Sequence, residues 1–182
     1  MKHLGTKTIE TERLILRKFT PFDAGAMFEN WASDPEVTKY LTWEAHKTVE
    51  TSAAIISEWV KNYKRPDYYE WAIELKGVGP IGSIGVVDIN MEIRSAEVGY
   101  CIGRRFWGKG IMPEALKAVL DFLFDEALFL RVTAKHDVMN PNSGRVMTKA
   151  GMKYEGTLRQ AGYNNRGVID IAIYAMIKED RN

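Results

Sequence analysis

The sequence has one cysteine, no long apolar run and no excess of either charge, and each of these shortages excludes a class of protein. Cys101 has no second cysteine to pair with, so no intrachain disulfide forms, which fits a reducing compartment. No apolar run reaches the roughly 18 residues of a membrane span, and the N-terminus lacks the apolar core of a signal peptide. We therefore expect a soluble, cytoplasmic protein without membrane contact.

The charge balance argues against a general nucleic-acid binder. Lysine and arginine number 25 against 24 acidic residues, whereas such a protein gains affinity from a basic surface. The length of 182 residues, 46% of them hydrophobic, indicates one domain over residues 1–182 with a substantial core.

The most informative stretch spans residues 96–127. An apolar run, which includes Tyr100, Cys101 and Ile102, predicts a strand, and a Gly-rich loop follows at residues 103–110. From Met112 onward the apolar residues recur at helical spacing. A strand, a glycine loop and a helix N-terminus leave unpaired backbone N–H groups where the helix dipole favours negative charge, so we interpret this stretch as a pyrophosphate cradle.

The spacing of the loop narrows the choice of family. Lys109 lies between Gly108 and Gly110, and no Gly-Lys-Ser/Thr follows, so this is not a Walker A loop. The third glycine of the Rossmann fingerprint is also missing. The pattern Arg105-x-x-Gly108-x-Gly110 resembles the acetyl-CoA-binding motif of the GNAT superfamily of N-acetyltransferases. A Gly-rich connection that binds nothing and an unrelated nucleotide-phosphate binder are the alternatives.

The predicted elements also resemble the GNAT fold over nearly the whole chain. About seven strands and four helices are expected, among them helices at 20–32 and 48–63 and a polar loop at 159–167. The fold class is α/β (α+β), with a mixed, mostly antiparallel sheet. One parallel strand pair, bridged by a helix at 112–128, splays apart in this fold. Gly82 and Gly85 suggest a bend or bulge within their strand.

A second motif supports the same family. Asn140-x-x-Ser143, followed by Gly151, resembles the second GNAT signature. Residues 11–17 and the turn at 34–37 resemble the branch of ribosomal-protein alanine N-acetyltransferases (RimJ/RimL-like). Many GNAT enzymes carry a tyrosine that protonates the leaving thiolate, and the corresponding position here is Met147, which cannot donate a proton.

The resemblance implies acetyl transfer from acetyl-CoA to an amine, and it assigns roles to particular residues. Glu97 is the candidate base, acting through a water, and a salt bridge to a neighbouring strand is its structural alternative. Ser143 is the candidate acid, although a helix-starting role explains it equally well. The expected cofactor-binding residues are Tyr100, Cys101, Ile102, Arg105, Gly108, Lys109, Gly110, Ile111, Met112 and Asn140. The three histidines show no metal-ligand spacing, and we expect no metal.

The acceptor amine is left open by the sequence. A protein or peptide N-terminus is the first expectation, and a small-molecule amine is the second. A non-catalytic CoA-sensing protein with the same fold is the rival from another class. The oligomeric state is also open, with a homodimer as one option.

Overall fold

A computed structural model describes residues 2–181, which fold around one eight-stranded sheet. The strands are β1 (Ile9–Glu10), β2 (Leu14–Arg17), β3 (Glu70–Leu75), β4 (Gly79–Asn90), β5 (Ser95–Ile102), β6 (Arg131–Asp137), β7 (Lys153–Asn164) and β8 (Gly167–Ile177). The helices are α1 (Ala24–Met27), α2 (Pro35–Thr38), α3 (Val49–Asn62), α4 (Ile111–Asp125) and α5 (Pro141–Lys149). Short 3₁₀ turns lie at Pro21–Asp23, Arg104–Phe106 and Lys178–Asp180, and a π-helical turn at Phe28–Ala32. No helix within 2–181 is long and apolar enough to cross a membrane.

The sheet has the order β1-β2-β3-β4-β5-β6-β8-β7, and only β5 and β6 pair in parallel. Their pairing is limited to Ser95 with Arg131, Ala96 with Val132 and Glu97 with Thr133. Beyond Glu97, β5 pairs only with β4 and β6 only with β8. The two strands therefore diverge and leave a gap, which we call the splay.

Helices cover both faces of the sheet. On one side, which we call the α4 face, α4 and α5 pack over the main core, where Trp71, Leu116 and Val132 are fully buried. On the other side, the α3 face, α1 and α3 enclose a second cluster around Trp31 and Ile56. β3 contributes side chains to both clusters, because alternate side chains of a strand point to opposite faces of the sheet.

The architecture confirms the mixed, mostly antiparallel GNAT-type sheet with one splayed parallel pair, but the element count differs. Within residues 2–181 there are eight strands rather than seven, because the two-residue strand β1, which pairs with β2, was not predicted. The short helix α2 brings the helices in this range to five. The helix expected at 48–63 is confirmed as α3.

The prediction of a polar loop at 159–167 is wrong, because β7 and β8 continue through these residues. They form a hairpin whose turn is Asn165 and Arg166. A register shift between Leu158 and Gly162 absorbs the irregular residues. Most of β7 is exposed to solvent. Its polar side chains reflect this exposure and not a loop conformation.

Gly82 lies next to a bulge, as the sequence suggests, because the register with β3 shifts between Ile73 and Glu74 and leaves Ile81 without a partner on β3. A second register shift falls between Val86 and Asp88, beyond Gly85. Close packing accounts for both glycines as well. A Cβ on Gly82 would meet the Cys101 carbonyl oxygen, and a Cβ on Gly85 would meet the Glu70 carboxylate. Only glycine therefore lets the backbone of β4 come this close to its neighbours.

Candidate active site

The Gly-rich loop joins the end of β5 to the start of α4 and exposes a series of backbone donors. Gly108 (φ 74°) and Gly110 (φ 72°) adopt left-handed conformations that favour glycine. Within 2–181, none of the backbone N–H groups from 108 to 112 makes a hydrogen bond. Ile111 and Met112 bury their side chains in the main core, so only their main chains are available at the loop. The arrangement suits an anion.

Contacts from distant parts of the chain hold this loop. Arg13 donates from Nη1 to the Lys109 carbonyl (3.0 Å) and pairs through Nη2 with Glu114 in the first turn of α4 (2.6 Å). On the other side, Arg105 donates to the side-chain oxygen of Asn30 (2.6 Å), which sits in the π-helical turn. The loop conformation is therefore fixed before any ligand binds.

The basic side chains of the loop differ in whether another side chain already pairs with them. Arg104 is paired with Asp34 (3.0 Å), and Arg105 also lies over the Phe106 ring. The Lys109 ammonium group lies near the same ring, 5.8 Å from its centroid, and it has no ion-pair partner within the described residues. Lys109 is thus the cation of this loop that an anion can recruit directly.

The splay leaves one edge of β5 without a partner strand next to the loop. Residues 98–102 have no partner on β6. The Ile102 carbonyl accepts a hydrogen bond from the Trp107 indole (2.9 Å), so part of this edge is already used by the loop. The rest of the edge offers main-chain groups for an extended ligand.

On the α4 face, Tyr100 and Ser143 meet across the splay. The Tyr100 hydroxyl donates to the Ser143 carbonyl (3.1 Å) and lies 3.0 Å from the Ser143 Oγ. Burial raises the pKa of the Tyr100 hydroxyl, which therefore stays protonated at neutral pH. Asn140 precedes α5 without using its side chain as a helix cap, which leaves its amide free for other partners.

On the α3 face, Glu97 and Lys135 meet across the same gap. The Glu97 carboxylate lies 2.9 Å from the Lys135 ammonium group, and its side chain is 22% exposed. This ion pair is the contact to a neighbouring strand that was the structural alternative for Glu97. The carboxylate nevertheless keeps access to solvent, so the contact does not exclude proton transfer.

Cys101 and Met147 lack the features of reactive groups. Burial raises the pKa of the Cys101 thiol to about 11, and its one polar neighbour within hydrogen-bond distance is the Ser83 hydroxyl at 3.6 Å. A thiol in this state is not a nucleophile at neutral pH. Met147, at the position of the usual tyrosine, is buried in the main core.

Three further residues of the site were not found from the sequence. Arg13 and Asn30 hold the loop from far away in the chain. Glu70 lies on the α3 face, where burial raises the pKa of its carboxyl group to about 8. In sequence it alternates with apolar residues, which is typical of a solvent-facing strand position. Within 2–181, no group of three or more His, Cys, Asp or Glu residues is arranged to hold a metal ion.

Comparison with known proteins identifies relatives of this chain. The model of the acetyltransferase (GNAT) domain family matches residues 13–153. The N-acetyltransferase YoaA of Bacillus subtilis (strain 168), itself uncharacterized, is 33% identical over 171 residues, which are 93% of this chain and 96% of that protein. The ribosomal-protein-serine acetyltransferase of Escherichia coli (strain K12) is 33% identical over 97 residues, 52% of this chain and 54% of that protein.

A solved structure shares the fold. RimL, a ribosomal L7/L12 α-N-protein acetyltransferase in complex with coenzyme A, matches with a TM-score of 0.83 and 22% identity, covering 94% of this chain and 98% of that one. The family match and the relatives agree with the geometry of the loop and the splay. The chain belongs to the GNAT family of N-acetyltransferases and is related to the ribosomal-protein acetyltransferases.

Proposed function

We propose that this enzyme transfers the acetyl group of acetyl-CoA to a primary amine by direct attack within a ternary complex. The observation that carries the proposal is the continuity of two features along β5. Its unpaired edge leads directly into the loop whose N–H groups from 108 to 112 have no hydrogen-bond partner within the described residues. An extended molecule that ends in a pyrophosphate fits this succession.

The cofactor would be held mainly by main-chain groups. The N–H groups of Gly108, Lys109, Gly110, Ile111 and Met112 face a pyrophosphate in this proposal, with Lys109 and Arg105 adding positive charge. The main chain of Tyr100, Cys101 and Ile102 and the amide of Asn140 line the path of the pantetheine arm. The cofactor supplies an activated acetyl thioester, and the protein orients it.

Two side chains move protons in this proposal. An amine attacks only in its neutral form, so Glu97 takes the proton of the acceptor through a water. The departing thiolate needs a proton, and the Ser143 hydroxyl, held by Tyr100, is the donor nearest to the splay on the α4 face. Both groups lie at the splay, on opposite faces of the sheet.

The acceptor we propose is the N-terminal amine of a protein, of the ribosomal-protein type. The E. coli relative that acetylates a ribosomal protein at serine supports this class. Such an acceptor is found in the cytoplasm. We expect thiol release from acetyl-CoA to be fastest with peptides that begin with Ala or Ser, and slower with polyamines or aminoglycosides.

Two outcomes of that experiment would contradict the proposal. Calorimetry that finds acetyl-CoA binding, combined with no thiol release for any amine, would identify a CoA-binding protein without turnover. Faster release with a polyamine than with every peptide would replace the protein acceptor by a small molecule.

The cradle is tested by Gly108→Val. A side chain at Gly108 meets no protein atom within 4 Å, so it would occupy the space of the ligand. Acetyl-CoA affinity in calorimetry should fall at least tenfold, about 1.4 kcal/mol. Gly77→Val is the matched control, since Gly77 (φ 77°) has the same left-handed strain and the same open space in the β3–β4 turn. Equal affinity of the two variants would reject the cradle.

The acid is tested by Ser143→Ala. Turnover should fall by about 10²-fold or more while acetyl-CoA affinity stays within twofold, because a general acid acts only on the leaving group. Tyr100→Phe removes the same hydrogen bond and keeps the serine hydroxyl, so it separates proton donation from helix positioning. If Ser143→Ala retains turnover within twofold of the wild type, Ser143 only starts the helix.

The base is tested by Glu97→Gln. The maximal rate near neutral pH should fall about 10²-fold, with acetyl-CoA binding unchanged, because glutamine cannot accept the proton. Raising the pH should restore part of the rate, since the amine then arrives neutral. Lys135→Met breaks the same ion pair but keeps the carboxylate, and it should retain most of the rate. A similar, pH-independent loss in both variants, with a lower melting temperature, would make Glu97 structural.

A further inference from the structure

Glu70 reaches across β4 on the α3 face. Its strand partner is Gly85, and a Cβ on Gly85 would collide with the Glu70 carboxylate, whose Cδ lies 2.9 Å from that position. The carboxylate thus lies flat over Gly85. On its other side, Gly85 pairs with Gly99 of β5. One strand spacing, about 5 Å, therefore separates the strand under the carboxylate from β5.

The space above Gly99 is nearly open. A Cβ on Gly99 would meet a single atom, Val87 Cγ1, at 3.1 Å. Along β5, Glu97 and Cys101 flank Gly99 on the same face, because side chains alternate. Towards β6 lies the splay, where β5 has no partner. We call this space over Gly99 the Gly99 trough, and Glu70 lies along the side of it opposite the splay.

Glu70 differs from the ion-paired carboxylates Glu74 and Glu97 of this face because it has no cation. Asp88, the cross-strand partner of Glu97, also makes no ion pair within the described residues, but it is exposed. Glu74, four residues along the same strand, is held by Arg17 (2.5 Å), and Glu97 is held by Lys135 (2.9 Å). Glu70 makes no ion pair within residues 2–181. The polar or titratable groups around it are the Ser83 hydroxyl, the Cys101 thiol and the phenols of Tyr63 and Tyr68.

A half-buried carboxyl group without a counter-ion marks a candidate ligand site, because partial desolvation disfavours its charged form. Desolvation raises the pKa of Glu70 to about 8, so at neutral pH its carboxyl group is largely protonated. A cation in the trough would restore the charged form. A compact cation that reaches the edge of β5 would thus supply the counter-ion that Glu70 lacks.

We propose that Glu70 is the ammonium-binding residue of the acceptor site and receives the amine, in its protonated form, in the Gly99 trough. This inference rests on the proposed acetyl transfer and adds the selection of the acceptor. An aliphatic amine is an ammonium ion at neutral pH; as it binds beside the splay, Glu70 releases its own proton to solvent and pairs with the ammonium group as a carboxylate. The ammonium proton then passes through a water to Glu97 and on to solvent, and the neutral amine is left to attack. Glu70 regains a proton from solvent when the charge is gone.

A kinetic comparison tests this role. For Glu70→Gln we expect KM for an alkylamine or peptide acceptor to rise about tenfold or more, with kcat within threefold, because the charge pair acts in binding. KM for an arylamine, which is neutral at pH 7, should not change. Glu74→Gln, on the same face of the same strand, is the control and should leave both KM values unchanged. A fall in kcat with KM unchanged, or equal effects on charged and neutral amines, would overturn the proposal.

A second measurement does not depend on turnover. Carboxyl ¹³C NMR, with Glu70→Gln used to assign the signal, follows the titration of Glu70 in the intact protein. Excess n-butylammonium should shift this titration to lower pH, because a bound cation stabilises the carboxylate, whereas n-butanol of the same shape should not. No shift, or an equal shift with both probes, would overturn the subsite even in an active enzyme. A selective shift in a protein that acetylates no amine would instead reject the proposed function and keep the subsite.

Discussion

β5 and β6 are each held by an antiparallel neighbour, so neither strand can bend towards the other, and the layout of the site depends on this constraint. β5 is paired to β4 through eight residue pairs and β6 to β8 through seven, whereas β5 and β6 share three. Antiparallel pairing on the outer sides thus outweighs parallel pairing in the middle. The main-chain hydrogen bonds that hold the two strands apart lie on their outer edges, on either side of the gap. As a result, an unpaired strand edge persists inside the protein, where such edges are otherwise satisfied or covered.

The two faces of the splay carry different chemistry because different elements cover them. On the α4 face, Tyr100 of β5 and Ser143 of α5 form a neutral, half-buried pair of hydroxyls. On the α3 face, Glu97 and Lys135 form a charged pair with solvent access, and the half-buried carboxyl of Glu70 lies nearby over Gly85. A reaction that takes a proton from one reactant and gives one to the other benefits from this separation. In the proposed mechanism, the sheet keeps the proton donor Ser143 and the proton acceptor Glu97 on opposite faces.

The local parts of this structure could be predicted from the sequence, and the long-range parts could not. The strand-loop-helix unit around Gly108 and Gly110 and the amphipathic α3 depend on neighbours a few residues apart, and their patterns predict them correctly. Strand β1 depends on a partner strand and has almost no signal of its own. Glu70 looks like a solvent-facing residue of a half-exposed strand, because the close approach of β4 at Gly85 that desolvates it has no signal in the sequence around Glu70. The polar segment of β7 was misinterpreted for the opposite reason, since exposure rather than loop structure explains its polarity.

The contact between Arg13 and the start of α4 ties the cradle to the order in which the chain folds. Arg13 and Glu114 are 101 residues apart in sequence, and the same arginine holds the Lys109 carbonyl. Contacts of such separation form late, because the entropy of closing the intervening chain must be overcome first. The glycines set the local conformation of the loop, and the Arg13 contacts then fix its position against the N-terminal strand. In the proposed function, cofactor binding at this loop is consequently linked to the folding equilibrium of the whole sheet, and the nucleotide would stabilise the native state rather than one loop.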